Sequence, residues 1–470
     1  MSEAKLNAGS YRDSAGHVYE HAQRVYRTIH EAGCDDYEAA REAGVLADAI
    51  SSGFLIESNE LEPGCWPKGL PSSRYVIEHS RIPYISYPYE WSFSQLKAAA
   101  LHHLDFQLFL LKRDFKLRDA SAYNIQFIGC RPIFIDLLSV APYREGEFWL
   151  GHRQFCEQFL NPILLRAKLG VAHNSWYRGS LEGIPSSSLS AMLPSVKKLS
   201  WNMFSHVVLP AKLEKRAQLS PDAAILKVKS NGGLSRLGYM GFLTQLRNWI
   251  SSLHPRDKEK TTWADYAKKN SYSDDERELK KTFISNFVKC VCPDMLMDLG
   301  CNTGDYSVTA LDAGAKYVVG FDFDQYALDL AQARCLDVNE AIQGFLPLWL
   351  DASNPSPDHG WQQCERIGFA ARAQQVDAVI ALAFEHHLAI AKNIPLPQVV
   401  RWLVSLAPQG VIEFVPKEDV TIQKMLALRE DVFPDYSLIS FETALLSCAK
   451  IVARQEVSKG GRVLFWFCAV

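Results

Sequence analysis

Met295-Leu-Met-Asp-Leu-Gly-Cys-Asn-Thr-Gly-Asp-Tyr306 decides the fold. A short apolar run carries the acidic Asp298 near its end and passes into a glycine-spaced turn, and a helical pattern follows at once. That order gives a strand, a tight loop and a helix amino terminus, the place where a doubly wound α/β sheet holds a ligand. Gly300 and Gly304 have no Cβ, so both are expected to let a ligand approach the backbone closely. Two ligand classes are excluded by spacing. No lysine follows Gly304, which rules out a phosphate loop, and Asn302 stands where a dinucleotide loop needs its second glycine.

Working outward, Tyr317-Val-Val-Gly-Phe-Asp322 reads as a second buried strand, its carboxylate about 20 residues past the loop, the distance at which such a residue grips ribose hydroxyls. Asp324 competes for that role, but Asp322 directly ends the apolar run. Pro347–Asp351, Val376–Leu382 and Gly410–Val415 read as further strands, with helical patterns at Gln325–Cys335 and Leu396–Leu406. Two last strand-like runs lie at Thr443–Cys448 and Arg462–Cys468. Each acidic residue alone reads equally as a strand-end surface group; three in register with the glycine loop do not.

This succession, with D-L-G-C-N-T-G at its head, resembles the class I S-adenosylmethionine-dependent methyltransferases over roughly Trp263 to Val470. The resemblance implies a Rossmann-like, seven-stranded α/β sheet. It also implies S-adenosyl-L-methionine as cofactor, held by Asp298, Gly300, Cys301, Asn302, Gly304, Asp322, Asp351 and Ala352. The acceptor is expected at Ala383-Phe-Glu-His386-His387-Leu388, where either histidine could take a proton near neutral pH or simply pack. Glu413 is expected at the same cleft, orienting the acceptor or satisfying buried polar groups. Trp263, Tyr266 and Tyr272 are candidates for a lid or for packing, and Ser273 for a helix cap.

A second signal lies in the amino-terminal half. Asp119 and Asn124 stand five apart, and the β-run Arg131-Pro-Ile-Phe-Ile ends in Asp136. Together they resemble the catalytic and metal loops of the kinase-like fold, which implies an α+β domain binding ATP and magnesium. A helical stretch at Ser92–Lys112 precedes them, and Tyr84–Glu90 stands where the hinge would be. A β-hairpin with Gly16 at its turn is expected between Tyr11–Tyr19 and Arg24–Arg27. The glycine-rich loop and strand lysine of that fold are missing, so Arg27 would replace the lysine, paired with Glu38 or Glu42 on the helical pattern Tyr37–Ile50. Leu137-Leu138 also departs from the fold's usual Phe-Gly after the metal-binding Asp.

The expected organisation is therefore a kinase-like domain, live or degenerate, at 1–168, a mainly helical linking module at 169–260, and a methyltransferase domain at 261–470. The 470 residues are 48% hydrophobic and 22% charged, an ordinary globular composition. A net charge of −3 gives no footprint for nucleic acid. The N-P-P-Y signature of amino-directed nucleic-acid methyltransferases is absent after the fourth strand, so DNA is not an expected partner. No apolar run reaches membrane-spanning length and the start lacks an apolar signal core, so the expected location is cytoplasmic, with the eleven cysteines as free thiols. Cys290 and Cys292 read as an incidental pair. The function expected is methyl transfer to a small-molecule or glycan acceptor. The alternatives are a bifunctional enzyme that phosphorylates and methylates one acceptor, and a non-catalytic ligand sensor, which the intact loop set disfavours.

Overall fold

The computed structural model describes residues 3–147, 149–219, 234–256, 274–337, 342–427 and 430–470, without the side chains of 216–219. Trp263, Tyr266, Tyr272 and Ser273 lie outside these residues. Met1–Lys258 with Gly360–Arg366 form one compact unit, and Glu259–His359 with Ile367–Val470 another. The helical stretch expected as a separate linking module falls, up to residue 258, within the first unit.

The first unit opens with β1 (Lys5–Leu6), β2 (Val18–His21) and β3 (Arg24–Ile29). Ala22 and Gln23 join β2 to β3 with φ of 48° and 67°, the backbone of a two-residue hairpin turn. The turn expected at Gly16 is thus displaced by several residues. Gly16 instead lies so close to β3 that a Cβ would stand 2.1 Å from the Thr28 carbonyl oxygen, which is why glycine fits there. β4 (Ser58–Glu60) and β5 (Tyr75–His79) complete an antiparallel sheet of order β1-β2-β3-β5-β4. The helical pattern of Tyr37–Ile50 is divided, because Gly44 at φ 70° separates helix Glu31–Glu42 from Val45–Ser51. Helix Phe93–Leu111 starts at Ser92, whose hydroxyl accepts from the Gln95 amide while Gln95 answers the Ser92 amide. After it come β6 (Phe115–Leu117), the hairpin of β7 (Ile125–Ile128) and β8 (Arg131–Phe134), and β9 (Val140–Pro142), which pairs with β6. Within the stretch expected to be mainly helical, helix Ser186–Met192 ends before Pro194 and the next α-helix starts at Trp201.

In the second unit, apolar runs buried on both faces make parallel strands covered by helices. These are β10 (Met295–Leu299), β11 (Tyr317–Asp322), β12 (Phe345–Trp349), β13 (Ala378–Ala381) and β14 (Gln409–Phe414). β15 (Ala449–Glu456) and β16 (Val463–Ala469) close a seven-stranded sheet of order β12-β11-β10-β13-β14-β16-β15, with β16 antiparallel to both neighbours. The order reverses at β10, so the strand that carries the glycine loop lies beside the switch point. One element differs from expectation. Thr443–Cys448 is not a strand but the end of helix Leu438–Leu446, capped by the Ser437 hydroxyl, and the turn that follows it. The strand is the next stretch, Ala-Lys-Ile-Val-Ala-Arg-Gln-Glu, whose alternating burial suits a sheet edge and whose charges hide it from an apolar scan.

Candidate functional site

The loop after β10 is built by its neighbours before any ligand is considered. The Gly300 and Cys301 amides both donate to the Phe321 carbonyl (2.8 and 3.1 Å), and the Gly304 amide donates to Cys301 (2.8 Å). The Asn302 amide donates to Asp322 Oδ2 at 2.8 Å. Four loop amides are therefore occupied within the protein, and the loop does not make the nest of free N–H groups that a phosphate requires. Gly300 and Gly304 stand at φ 79° and 88°, a region costly for residues with a Cβ. Gly300 lines the cleft, and both glycines are also packed closely by protein side chains. A Cβ on Gly304 would lie 2.5 Å from the Phe345 ring, and one on Gly300 would lie 3.1 Å from Phe384. Close packing with protein side chains, together with the turn, selects glycine here.

The strands deliver their carboxylates to one cleft of about 300 Å³. Asp298, Asp305, Asp322, Asp324 and Asp351 line it, alongside Cys301, Asn302 and Ala352. Asp298 is buried and accepts from Ser307 Oγ at 2.5 Å; burial pushes its carboxyl up to about 7 despite that bond, with Asp322 nearby adding to the rise. Asp322 accepts the amides of Asn302 and Asp324, and burial still raises it to about 6. Asp324 caps helix Gln325–Cys335 through Oδ1, while its Oδ2 is buried without a hydrogen-bond partner among the described residues. The Asn302 side-chain oxygen is likewise without a partner. Asp351 lies two residues past β12 and accepts the amide and hydroxyl of Ser353 (3.0 and 2.6 Å). Phe323, 61% exposed, lies beside Trp349 with ring centroids 5.8 Å apart and lines the same cleft.

On the far side of the switch point, His386, His387 and Glu413 line the cleft together. The two imidazoles are 4.3 Å apart, and His386 Nδ1 lies 3.5 Å from Glu385 Oε2. Burial and the neighbouring His386 hold His387 well below the usual imidazole range, so its ring is neutral at physiological pH. Glu385 is anchored, since its Oε1 accepts the Val415 amide (2.9 Å) and the Tyr436 hydroxyl (2.8 Å). Glu413 is engaged too. Its Oε1 meets Lys280 Nζ at 2.6 Å and Arg462 Nη1 at 3.3 Å, and its Oε2 accepts the Ala383 amide at 2.9 Å. Burial alone would raise the Glu413 carboxyl, but the two cations overcome it and hold it below the usual range. Its carboxylate fixes the loop that carries the histidines.

The sequence reading missed Lys280 and Arg462, both buried. Lys280 did carry a signal. It opens the buried stripe Lys280, Phe283, Ile284, Phe287, Val288 of helix Asp274–Val291, so a cation sits where the 3.6-residue period demands an apolar side chain.

In the first unit, Arg27, Asp119, Asn124 and Asp136 are also joined. Asn124 Nδ2 donates to both oxygens of Asp119 (3.1 Å each), and Ser139 Oγ donates to Asp119 Oδ1 at 2.6 Å. Burial raises the Asp119 carboxyl, and the charge of Asp136 adds to it. Arg27 pairs with Asp136 at 2.9 Å, not with the expected Glu38 or Glu42; Glu38 accepts instead from the Tyr75 hydroxyl at 2.6 Å.

No family model matches the chain. Nodulation protein NoeA of Rhizobium meliloti (strain 1021) is 44% identical over 462 residues, covering 98% of this chain and 95% of that protein. Among solved structures, the bifunctional kinase-methyltransferase WbdD matches at 15% identity and TM-score 0.31, and the chain spans about half of its length (46%, against 47% of this chain). N-methyltransferase NodS from Bradyrhizobium japonicum WM9 is 12% identical with TM-score 0.30, covering 42% of this chain and 98% of that one. Magnesium protoporphyrin IX methyltransferase from Synechocystis PCC 6803 is 17% identical with TM-score 0.30, covering 48% and 99%. Among the described residues, no helix is long and apolar enough to cross a membrane.

Proposed function

The chain belongs to the family of nodulation protein NoeA, and we propose that it is an S-adenosylmethionine-dependent methyltransferase acting on a small-molecule or glycan acceptor. One observation carries the reading. Five aspartates and Glu413 line a cleft at the carboxyl ends of the parallel strands, and four amides of the glycine loop are occupied, so the cleft suits a cationic nucleoside better than a phosphate. Asp322 would accept the ribose hydroxyls, Phe323 would stack on the base near Asp351 and Ala352, and Asp298 with Asn302 would face the aminoacyl end. The cofactor supplies an activated methyl group; the residues here bind, orient and exclude water.

On the acceptor side, burial holds His387 well below the usual imidazole range, and His386, whose Nδ1 lies 3.5 Å from Glu385 Oε2, is the histidine assigned as base. Glu413 acts through the Ala383 amide as a positioning residue. The relative is named for nodulation, so a metabolite or glycan of that process is the acceptor class to try first. Calorimetry with S-adenosylmethionine and its demethylated product should give one site per chain, and labelled cofactor with a metabolite extract should yield a labelled product by mass spectrometry. Absence of binding heat on folded protein would sink the proposal. His386→Ala should lower kcat more than His387→Ala, with cofactor affinity preserved in both.

A second reading has its own support in the first unit. The sheet order β1-β2-β3-β5-β4, the helix after β3, and the joined Arg27, Asp119, Asn124 and Asp136 favour a kinase-like scaffold. Such a scaffold would bind ATP and magnesium, with phosphorylation of the same acceptor as the bifunctional alternative.

A further inference from the structure

A cluster of nitrogen and sulfur side chains lies in the first unit and takes no part in the functions above. His152 and Cys156 are one helical turn apart, so their side chains share a face. His206 approaches them from another helical stretch. His152 Nε2 lies 3.0 Å from His206 Nδ1 and 3.5 Å from Cys156 Sγ, and one ligand atom from each residue falls within 4.8 Å of the others. Cys156 and His206 are fully buried, and the rings of Trp149, Phe242 and Trp249 pack around the two histidines.

Hydrogen bonding satisfies this arrangement poorly. His152 Nε2 has one lone pair or one proton, yet both other atoms approach it. Three ligand atoms gathered within 4.8 Å of one another suit a cation instead. Bonds of about 2.0 Å to nitrogen and 2.3 Å to sulfur imply tetrahedral edges of about 3.3 Å between nitrogens and 3.5 Å between nitrogen and sulfur. The nitrogen–sulfur separation of 3.5 Å equals its edge, the nitrogen–nitrogen separation of 3.0 Å is shorter than its edge, and the third pair lies within 4.8 Å, so a small outward shift of one imidazole admits the ion. As a ligand through Nδ1, His206 would carry its ring proton on Nε2, which has no hydrogen-bond partner among the described residues.

We propose that His152, Cys156 and His206 form a binding site for a thiophilic d10 cation, Zn2+ or Cu+. Binding exchanges the Cys156 thiol proton for the metal and releases that proton to solvent. A thiolate with Cu+ leaves no net charge among the aromatic rings, whereas Zn2+ leaves one positive charge and calls for a fourth ligand such as water. Charge therefore favours Cu+, and the experiment separates the two.

The test uses the full-length protein purified without chelators, its metal measured by mass spectrometry. It should carry about one equivalent of copper or zinc, falling at least about tenfold in Cys156→Ser and in His206→Gln. Metal-free protein supplies the second readout, independent of how the variants fold. Added Zn2+, or Cu+ kept reduced with ascorbate, should raise its melting temperature, and Co2+ should give a thiolate-to-metal absorption band. Wild-type protein that holds no metal and responds to none of the three ions overturns the site. So does a folded Cys156→Ser protein that keeps the full complement, since the metal would then sit on one of the other ten cysteines.

Discussion

Two acidic clusters, one in each unit, use their carboxylates in opposite ways. At the ends of β10, β11 and β12, Asp298, Asp322 and Asp351 take hydrogen bonds from nearby amides and hydroxyls, and none of those bonds comes from a cation. Burial has raised the first two, so the cleft stores unfavourable charge that a cationic ligand would relieve. After β8, Asp136 is already paired with Arg27, and Asp119 is held by Asn124 and Ser139. A ligand entering there must first displace a protein cation. The lesson is that a complete set of motif residues and an available site are separate facts, and the partners of each carboxylate distinguish them.

The largest effect that would break this contrast is expected at Gly300. Gly300→Arg places a long cationic side chain in a left-handed turn against Phe384, and cofactor affinity should fall at least about a hundredfold by calorimetry. Unchanged affinity would remove the cleft from the argument. Next comes the buried triad that holds the opposite wall. Lys280 is 1% exposed and Glu413 fully buried, so Lys280→Met leaves a carboxylate facing Arg462 alone. Unfolding in urea should show a loss of about 3 kcal/mol, mostly recovered in Lys280→Met/Glu413→Gln. A single variant as stable as the wild type would mean that Arg462 suffices.

The second unit was largely legible in the sequence because parallel strands buried on both faces write themselves as apolar runs, and the glycine loop fixed which strand came first. What stayed hidden was of another kind. Ala449–Glu456 is an edge strand with charges on its open face, and β2 and β3 are joined at Ala22 and Gln23, residues without a turn signature. The residues at the cleft and behind it divide the same way. Asp298, Asp322, Asp351, His386 and His387, which line it, were read from their place at or after strand ends. Lys280 and Arg462 were not: the apolar stripe of its helix marks Lys280 as a buried cation, but nothing local names their partner Glu413, 133 and 49 residues away. Arg27 was found, but its partner was not. The sequence offered two glutamates on the next helix, and the fold supplied Asp136.

pH sharpens the contrast further. An unfolded aspartate titrates at about 3.9, whereas burial in the folded protein pushes Asp298 up to about 7 and Asp322 up to about 6. The folded state therefore binds more protons than the unfolded state between those limits, so stability falls as pH rises from about 4 through 7. Asp298→Asn should flatten that slope in denaturant titrations across the range. If a cationic cofactor prefers the ionised carboxylates, its affinity should weaken as pH drops below about 6, and Asp322→Asn should remove part of that dependence. A cofactor affinity independent of pH from 5 to 8 would mean that these carboxylates do not meet the ligand's charge.

The smallest effect is expected in the first unit, where the ligand has competition. Magnesium and ATP together should raise its melting temperature by only a few degrees, because magnesium must take Asp136 from Arg27. Asp136→Ala should abolish the rise. Arg27→Met tests the competition itself. It frees Asp136, so the magnesium-dependent part of the shift should grow, while any part owed to Arg27 contacting phosphate should shrink. Titrating magnesium at fixed ATP separates the two contributions. A larger magnesium response in Arg27→Met would make the ion pair a gate on the metal site. A smaller one would give Arg27 the role of the missing lysine, and with it the case for a working phosphotransferase.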